Sequence, residues 1–484
     1  MEFIEKRYLL ILACIPIISL ALHFHVLDRD LLGYHVWRQT ETQTVINNFY
    51  TEDLNILNPR INDRADTDRI HRMEFPFMQW LFALFYKLFG SHIAISRILT
   101  FLIGLGSVYG MFYLCNNIFR NKAMAVICAW CFNCSPVFYY YTINPMPDNM
   151  ALCCGIWSIG LFYAYLNTQK MKYVLWSAFF LASATLAKLP FILYGAFIFA
   201  FFAVQLKRRE YNWKQLLQCL SIYILFALPH IAWYATVIPQ WGHNPIVKGI
   251  FETTMGTAEL NHIFWATLYS TLPELLINYG SVLFFIAGFY FLFRNRKQHH
   301  KYFPLFIVWG AVLILYFLFE MNAIALIHDY YLFPFLPAIF LLVAYGAYYL
   351  LLRRNTFLGK LSLLCLAILP LTAFLRADPR WDTATPEFNP VYYHNKEQLR
   401  NLIPDNALCI VGNDDSHYIL LYYINRKGWA FDNDNLDESS LTYFMNHGAK
   451  YLFTDSRIDD KPEIKTHLAE KIFEQETVRV YKLK

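Results

Sequence analysis

Charge is scarce in this sequence. Asp, Glu, Lys and Arg together make up 16% of its 484 residues, while apolar residues make up 57%. Soluble domains carry charge on about a quarter of their residues. A water-facing surface is therefore excluded for much of the chain, and lipid is the solvent that fits. A concentrated basic stripe is also missing. The net charge is +5 and the cations are scattered through short loops, which excludes nucleic-acid binding. A disulfide framework is absent too. Of ten cysteines, nine lie in apolar runs and the tenth, Cys409, lies in a predicted strand. Cys128, Cys131 and Cys134 stand three apart in an apolar helix with no His beside them, so they read as packing residues and not metal ligands. The chain has no glycine-rich phosphate loop, no HExxH, no serine nucleophile elbow, no internal repeat and no low-complexity tract. The membrane midplane lacks the ionisable residues of a proton-coupled carrier.

Long apolar runs are what the sequence has. Eleven reach spanning length, at about 8–26, 95–115, 123–141, 150–166, 173–187, 190–206, 216–238, 274–293, 302–319, 329–352 and 357–375. No small-x-small cleavage site follows the first run, so it is expected to stay as a span. Lys188 and Pro190 divide 173–187 from 190–206, because one helix of that combined length would overshoot a bilayer. Aromatics at 18% suit belts at both interfaces.

With Lys6 and Arg7 placed in the cytoplasm, the inner loops carry Arg120 and Lys122; Lys170 and Lys172; Lys207, Arg208, Arg209 and Lys214; Arg294, Arg296, Lys297 and Lys301; and Arg353, Arg354 and Lys360. The outer loops 142–149 and 320–328 carry no Lys or Arg. The outer turn 188–190 has only Lys188, and the loop 239–273 only Lys248. This alternation predicts eleven spans with the N-terminus inside and the C-terminus outside. The long first outer loop, 27–94, contains a helical stretch near 40–50 and the run EFPFMQWLFALFYKLFG at 74–90. That run is expected to lie along the outer interface, since a span there would invert every later loop. From 376 onward the chain turns polar. It predicts strands at 407–411, 428–431, 450–455 and 478–484, with helices at 416–425 and 437–448, which is a small α/β layer.

Polar groups at outer helix ends are the candidates for chemistry. LDRDLLGYHVWRQTET supplies Asp30, Arg38 and Glu41. On a helix Arg38 and Glu41 share a face, either as a surface pair of little energy or as a carboxylate base beside an anion-binding guanidinium. Glu74 stands just before the interfacial run. Asp148, in INPMPDNM, is an N-cap or a site residue, and both roles are compatible. Arg97, Lys188, and His328 with Tyr330 in LIHDYYLFP stand at outer helix ends. With Arg38 they could bind a phosphate or pyrophosphate at the lipid surface. Interfacial anchoring is the plain alternative for each residue.

The first outer loop, EFPFMQWLFALFYKLFG followed by Arg97, PMPDNMAL, ATLAKLP and HDYYLFPFLPAIFLL occur in an order that resembles the GT-C glycosyltransferases. The likeness is to family 39, which includes protein O-mannosyltransferases and the aminoarabinose transferase of lipid A, and it covers roughly residues 5–375. It implies a GT-C-like α-helical polytopic membrane domain at 1–375, with its first periplasmic loop at 27–94; the α/β layer read from the sequence at 376–484 is expected to be a periplasmic domain by the loop-charge topology. It implies an inverting transferase of a bacterial inner membrane that moves a sugar from a polyprenyl phosphate to lipid A, a polysaccharide or a protein. Asp148 falls where the family has an acidic residue after the third span. Lys188 matches the lysine of its alanine-leucine-lysine-proline stretch. Asp148, and Asp30, Glu41 and Glu74 as unranked replacements for the first-loop acid, are the acidic candidates for catalysis, and Arg38, Arg97, Lys188, His328 and Tyr330 are the candidates for binding the donor phosphate. The family's first-loop Asp-Glu pair is replaced here by Arg38-Gln39, in a Trp-Arg-Gln sequence like that of a bacterial branch. The lysine-proline-proline stretch of the lipid A transferase appears here as Glu74-Phe75-Pro76. No cofactor is expected, with a divalent metal left open. The competing readings are a flippase for a lipid-linked saccharide and a non-catalytic scaffold that keeps the fold.

Overall fold

The computed structural model describes residues 2–65, 68–208, 212–241, 248–297, 303–324, 328–432 and 434–484. Arg209 and Lys301 of the basic loops lie outside the described residues, as do 242–247 and 325–327 of two outer loops. By its contacts the chain divides into two compact units. Unit 1 holds Met1–Asp28, Met73–Phe75 and Ser96–Pro379, and unit 2 holds Arg29–Arg72, Pro76–Ile95 and Arg380–Lys484. This cuts the chain differently from a single boundary at 375/376. Most of the first loop is grouped with the C-terminal residues.

Unit 1 is helical. Seven described helices are long and apolar enough to cross a membrane: Arg7–Val26, Ile93–Phe119, Pro147–Thr168, Trp213–Gln240, Phe306–Ile324, Asp329–Leu351 and Phe357–Trp381. The chain is a multi-pass membrane protein. Leu225, Leu228 and Ile231 on one of these helices are each more than half exposed, as a lipid-facing surface requires. The expected span at 274–293 is one arm of a bent pair, Thr257–Ile277 and Tyr279–Arg294, which meet at 96°. Asn278 sits at the bend with φ 73°. Its amide donates to the carbonyls of Cys134 (3.0 Å) and Leu369 (3.2 Å). Asn tolerates this left-handed conformation better than most residues. The expected spans at 123–141, 173–187 and 190–206 are shorter apolar helices. The first breaks between Lys122–Asn133 and Pro136–Tyr141, where Pro136 has no N–H to continue the ladder. Cys128, Cys131 and Cys134 are buried free thiols there.

Helices Val282–Arg294 and Leu336–Leu351 approach through glycine. A Cβ on Gly288 would collide with the Leu342 carbonyl, and one on Gly346 with the Phe284 carbonyl. Small residues permit this backbone-to-backbone contact.

Unit 2 carries a five-stranded sheet of β1 (Leu408–Gly412), β2 (Lys427–Ala430), β3 (Ala449–Thr454), β4 (Leu468–Gln475) and β5 (Val478–Leu483), in the order β2-β1-β3-β5-β4. β1 is parallel to β2 and β3, and β5 is antiparallel to β3 and β4. Side chains alternate between two cores. Cys409, Val411, Phe453 and Val480 face Leu31, Val36, Tyr392 and Leu420, whereas Ile410, Trp429 and Leu452 face Leu441 and Ile464. Strand β4 was not expected. The helix expected at 416–425 is only Ile419–Tyr423. The stretch near 40–50 is the helix Val36–Thr51. The run at 74–90 forms Phe77–Phe89, 13 residues. At 1.5 Å per residue this is about 20 Å, too short to cross a core of about 30 Å. It buries Met78, Phe82 and Tyr86 and exposes Phe77, Leu88 and Phe89.

Candidate active site

Lys188 ends the helix Met171–Ala187 in an extended conformation, φ −160° and ψ 119°, and Pro190 opens the next turn. The break turns its side chain into protein instead of lipid, and Lys188 is buried. Its Nζ lies 3.7 Å from Asp148 Oδ1. The rings of Tyr330 and Tyr331 face the same ammonium, with centroids at 5.7 and 5.2 Å. Both tyrosines belong to the tight turn Asp329–Phe335. The Tyr330 hydroxyl lies 3.1 Å from His328 Nδ1, and the Tyr141 hydroxyl donates to Asp329 Oδ1. Away from water, such charge and ring contacts are much stronger than at a surface.

Asp148 is not an N-cap. The cap of Pro147–Thr168 is Met146, and Asp148 lies in the first helical turn, where the helix dipole favours a carboxylate. The loop before it is tightly tied. The Asn149 amide donates to the carbonyls of Tyr141 (2.9 Å) and Asn144 (3.0 Å). Arg97 is wholly buried and donates to Asn144 Oδ1 (2.7 Å) and the Ile143 carbonyl (3.4 Å). Arg97 thus holds the turn that presents Asp148.

Glu74 is buried in the same unit. The Phe75 N–H donates to the Leu186 carbonyl (3.0 Å), and the Trp233 indole donates to the Met73 carbonyl (3.1 Å). These bonds fix the Glu74 backbone against the end of the helix that Lys188 terminates. Unit 1 therefore contains Glu74, Arg97, Asp148, Lys188, His328 and Tyr330 of the residues selected from sequence.

The other three lie in unit 2. Asp30 accepts from Lys396 Nζ, from the Tyr422 hydroxyl (2.6 Å) and from the Leu31 N–H (2.8 Å). Burial pushes its carboxyl up, but the Lys396 charge and these three bonds outweigh that and hold it below its ordinary value. Its oxygens are already engaged in tying 29–72 to the C-terminal residues. Arg38 and Glu41 form an ion pair, as their spacing predicts, but a buried one. The other Glu41 oxygen lies 3.8 Å from His71 Nε2. Tyr418 stands beside this pair, and burial, then the Glu41 charge, raises its phenol above the ordinary value.

Two further buried residues of unit 1 were not selected from sequence. Tyr331 stands within the stretch already singled out, one residue past Tyr330. Glu320 had its own signal, as the one acidic residue in the apolar helix Phe303–Ile324. Among the described residues no group of three or more His, Cys, Asp or Glu side chains is placed to share a metal ion.

Residues 74–233, about a third of the chain, match the family profile for dolichyl-phosphate-mannose-protein mannosyltransferase. No curated protein sequence matches the chain. Among solved structures it is similar to ArnT from Cupriavidus metallidurans. The apo form is 12% identical, with TM-score 0.67, over 97% of each chain. The form bound to undecaprenyl phosphate is 12% identical, with TM-score 0.68, over 99% of this chain and 98% of that one. The arabinofuranosyltransferase AftD from Mycobacteria is 11% identical, with TM-score 0.52, over 98% of this chain and 40% of its own. The chain resembles the GT-C glycosyltransferases in part of its sequence and nearly throughout its length in fold, and its architecture is the GT-C fold with a small C-terminal sheet domain.

Proposed function

We propose that this protein is an inverting glycosyltransferase of a bacterial inner membrane. It takes a sugar from a polyprenyl phosphate and transfers it, on the periplasmic face, to a lipid, polysaccharide or protein acceptor. The carrying observation is the buried Asp148–Lys188 pair beneath Tyr330 and Tyr331, in a chain whose fold matches an undecaprenyl-phosphate-bound ArnT. The basic loops support the orientation. In the reaction an acceptor oxygen attacks the anomeric carbon as the bond from that carbon to the phosphate oxygen breaks. The lipid phosphate leaves with the bonding pair, and a carboxylate takes the acceptor proton. Lys188 meets the charge that grows on the departing phosphate, and the tyrosine rings keep water from screening it. Asp148 and Glu74, which share unit 1 with Lys188, are the candidate bases.

The test is transfer from an undecaprenyl-phosphate sugar by full-length protein in sealed vesicles of both orientations. Transfer is expected when donor and acceptor meet the face opposite the basic loops. Lys188→Ala and Asp148→Asn should each lower turnover by about 10²- to 10³-fold. Full activity in both variants would remove the site. Movement of intact sugar-lipid across the bilayer without transfer would instead make the protein a flippase.

A further inference from the structure

We propose that Glu320 forms a sugar-recognition subsite beside Lys188, accepting hydrogen bonds from hydroxyl groups of the sugar that the lipid phosphate carries. The inference rests on the lipid-phosphate reading of Lys188 and assigns the part of the donor that Glu320 would touch.

Glu320 lies near the C-terminal end of Phe303–Ile324, as the helix's one charged residue, and is 2% exposed. Among the described residues, none hydrogen-bonds its Oε2. A buried carboxyl group with an unused oxygen is costly, and such residues mark ligand sites. The Glu320 helix reaches the Lys188 cluster through Tyr331, whose ring centroid lies 5.2 Å from the Lys188 ammonium. Tyr316, one turn earlier on the same helix, donates its hydroxyl to the Tyr331 carbonyl (3.3 Å). Glu320 therefore stands one turn from the residue that ties its helix to the Lys188 cluster.

The ligand chemistry follows from charge. Asp148 already faces Lys188 at 3.7 Å, so a second carboxylate in contact with the phosphate would oppose its binding. A carboxylate can instead accept from neutral hydroxyl donors, and adjacent sugar hydroxyls can engage both of its oxygens. An acceptor left empty by the protein penalises a ligand that lacks the matching hydroxyl.

The experiment measures binding of bare undecaprenyl phosphate and of undecaprenyl phosphate bearing mannose, glucose, arabinose or aminoarabinose to the full chain in nanodiscs. Wild type should bind one of the sugar-bearing lipids at least about tenfold more tightly than the bare lipid. Glu320→Gln and Glu320→Ala should reduce that preference to within about twofold, and leave the affinity for bare lipid within about threefold. Lys188→Ala should weaken both lipids. A wild type without sugar preference, or Glu320 variants that keep it, overturns the subsite. An equal change for bare and sugar-bearing lipids makes Glu320 only a counter-charge to Lys188. Indifference of both lipids to Lys188→Ala would overturn the lipid-phosphate reading itself. Thermal unfolding of each variant separates lost recognition from lost fold.

Discussion

His417 places Nδ1 3.3 Å from Asp63 Oδ2, in the unit that holds both residues. That hydrogen bond raises the imidazole's proton affinity most. Burial opposes it, and the charges of Asp63, Asp414 and Asp432 add to it, so the net shift is upward. The folded value then exceeds the unfolded one of about 6.5. The stabilisation is fully present below about pH 6.5 and is lost as pH rises through the folded value. Unit 2 is therefore expected to lose stability with rising pH in a window that opens near 6.5. Denaturant unfolding at pH 6 and 8.5 should show a smaller loss in His417→Gln than in wild type, and equal slopes would dismiss the linkage. Single residues differ in how far sequence exposes such roles. The place of Lys188 at a helix break was legible because a charge before proline interrupts two apolar runs. Asp30 and Glu41 were not separable, because nothing local to Asp30 announces Lys396 and Tyr422, which lie far along the chain.

At the scale of elements, the helices were legible because lipid demands long apolar segments. The bend at Asn278 was not, since it depends on carbonyls of Cys134 and Leu369 from distant helices. Strand β4 escaped for another reason. It is an edge strand whose residues are all exposed or half-buried, so it shows no buried alternation to read. The glycine contact between Val282–Arg294 and Leu336–Leu351 has a measurable consequence. A methyl group on Gly346 meets backbone, which cannot rotate away, whereas nothing lies within 4 Å of one on Gly310. Gly346→Ala should cost about 1–3 kcal/mol through forced separation of the helices. Gly310→Ala should be neutral or slightly stabilising. Thermal unfolding followed by size-exclusion fluorescence compares the two, and similar melting temperatures would contradict the packing.

Across the whole molecule, the change to polar sequence near 376 gave no sign that unit 2 is built from three separate stretches of chain. Hydropathy records which residues avoid water and is silent on which distant ones they meet. Leu31 and Val36 are almost wholly buried in one cluster with Tyr392, Leu420 and Val480. The Gly33 N–H donates to the Pro386 carbonyl (3.0 Å), and Asp30 is held by Lys396 and Tyr422. A chain ending at Pro379 would lack each of these partners while keeping the helices of unit 1. The buried apolar residues of 29–72 would then face water, and Asp30 would lose its cation. Such a truncation should retain its helical circular dichroism and become cleavable by trypsin within 29–72, where the full chain resists. Equal resistance in the two proteins would mean that the first loop folds without the C-terminal residues, and would restore a division near 375.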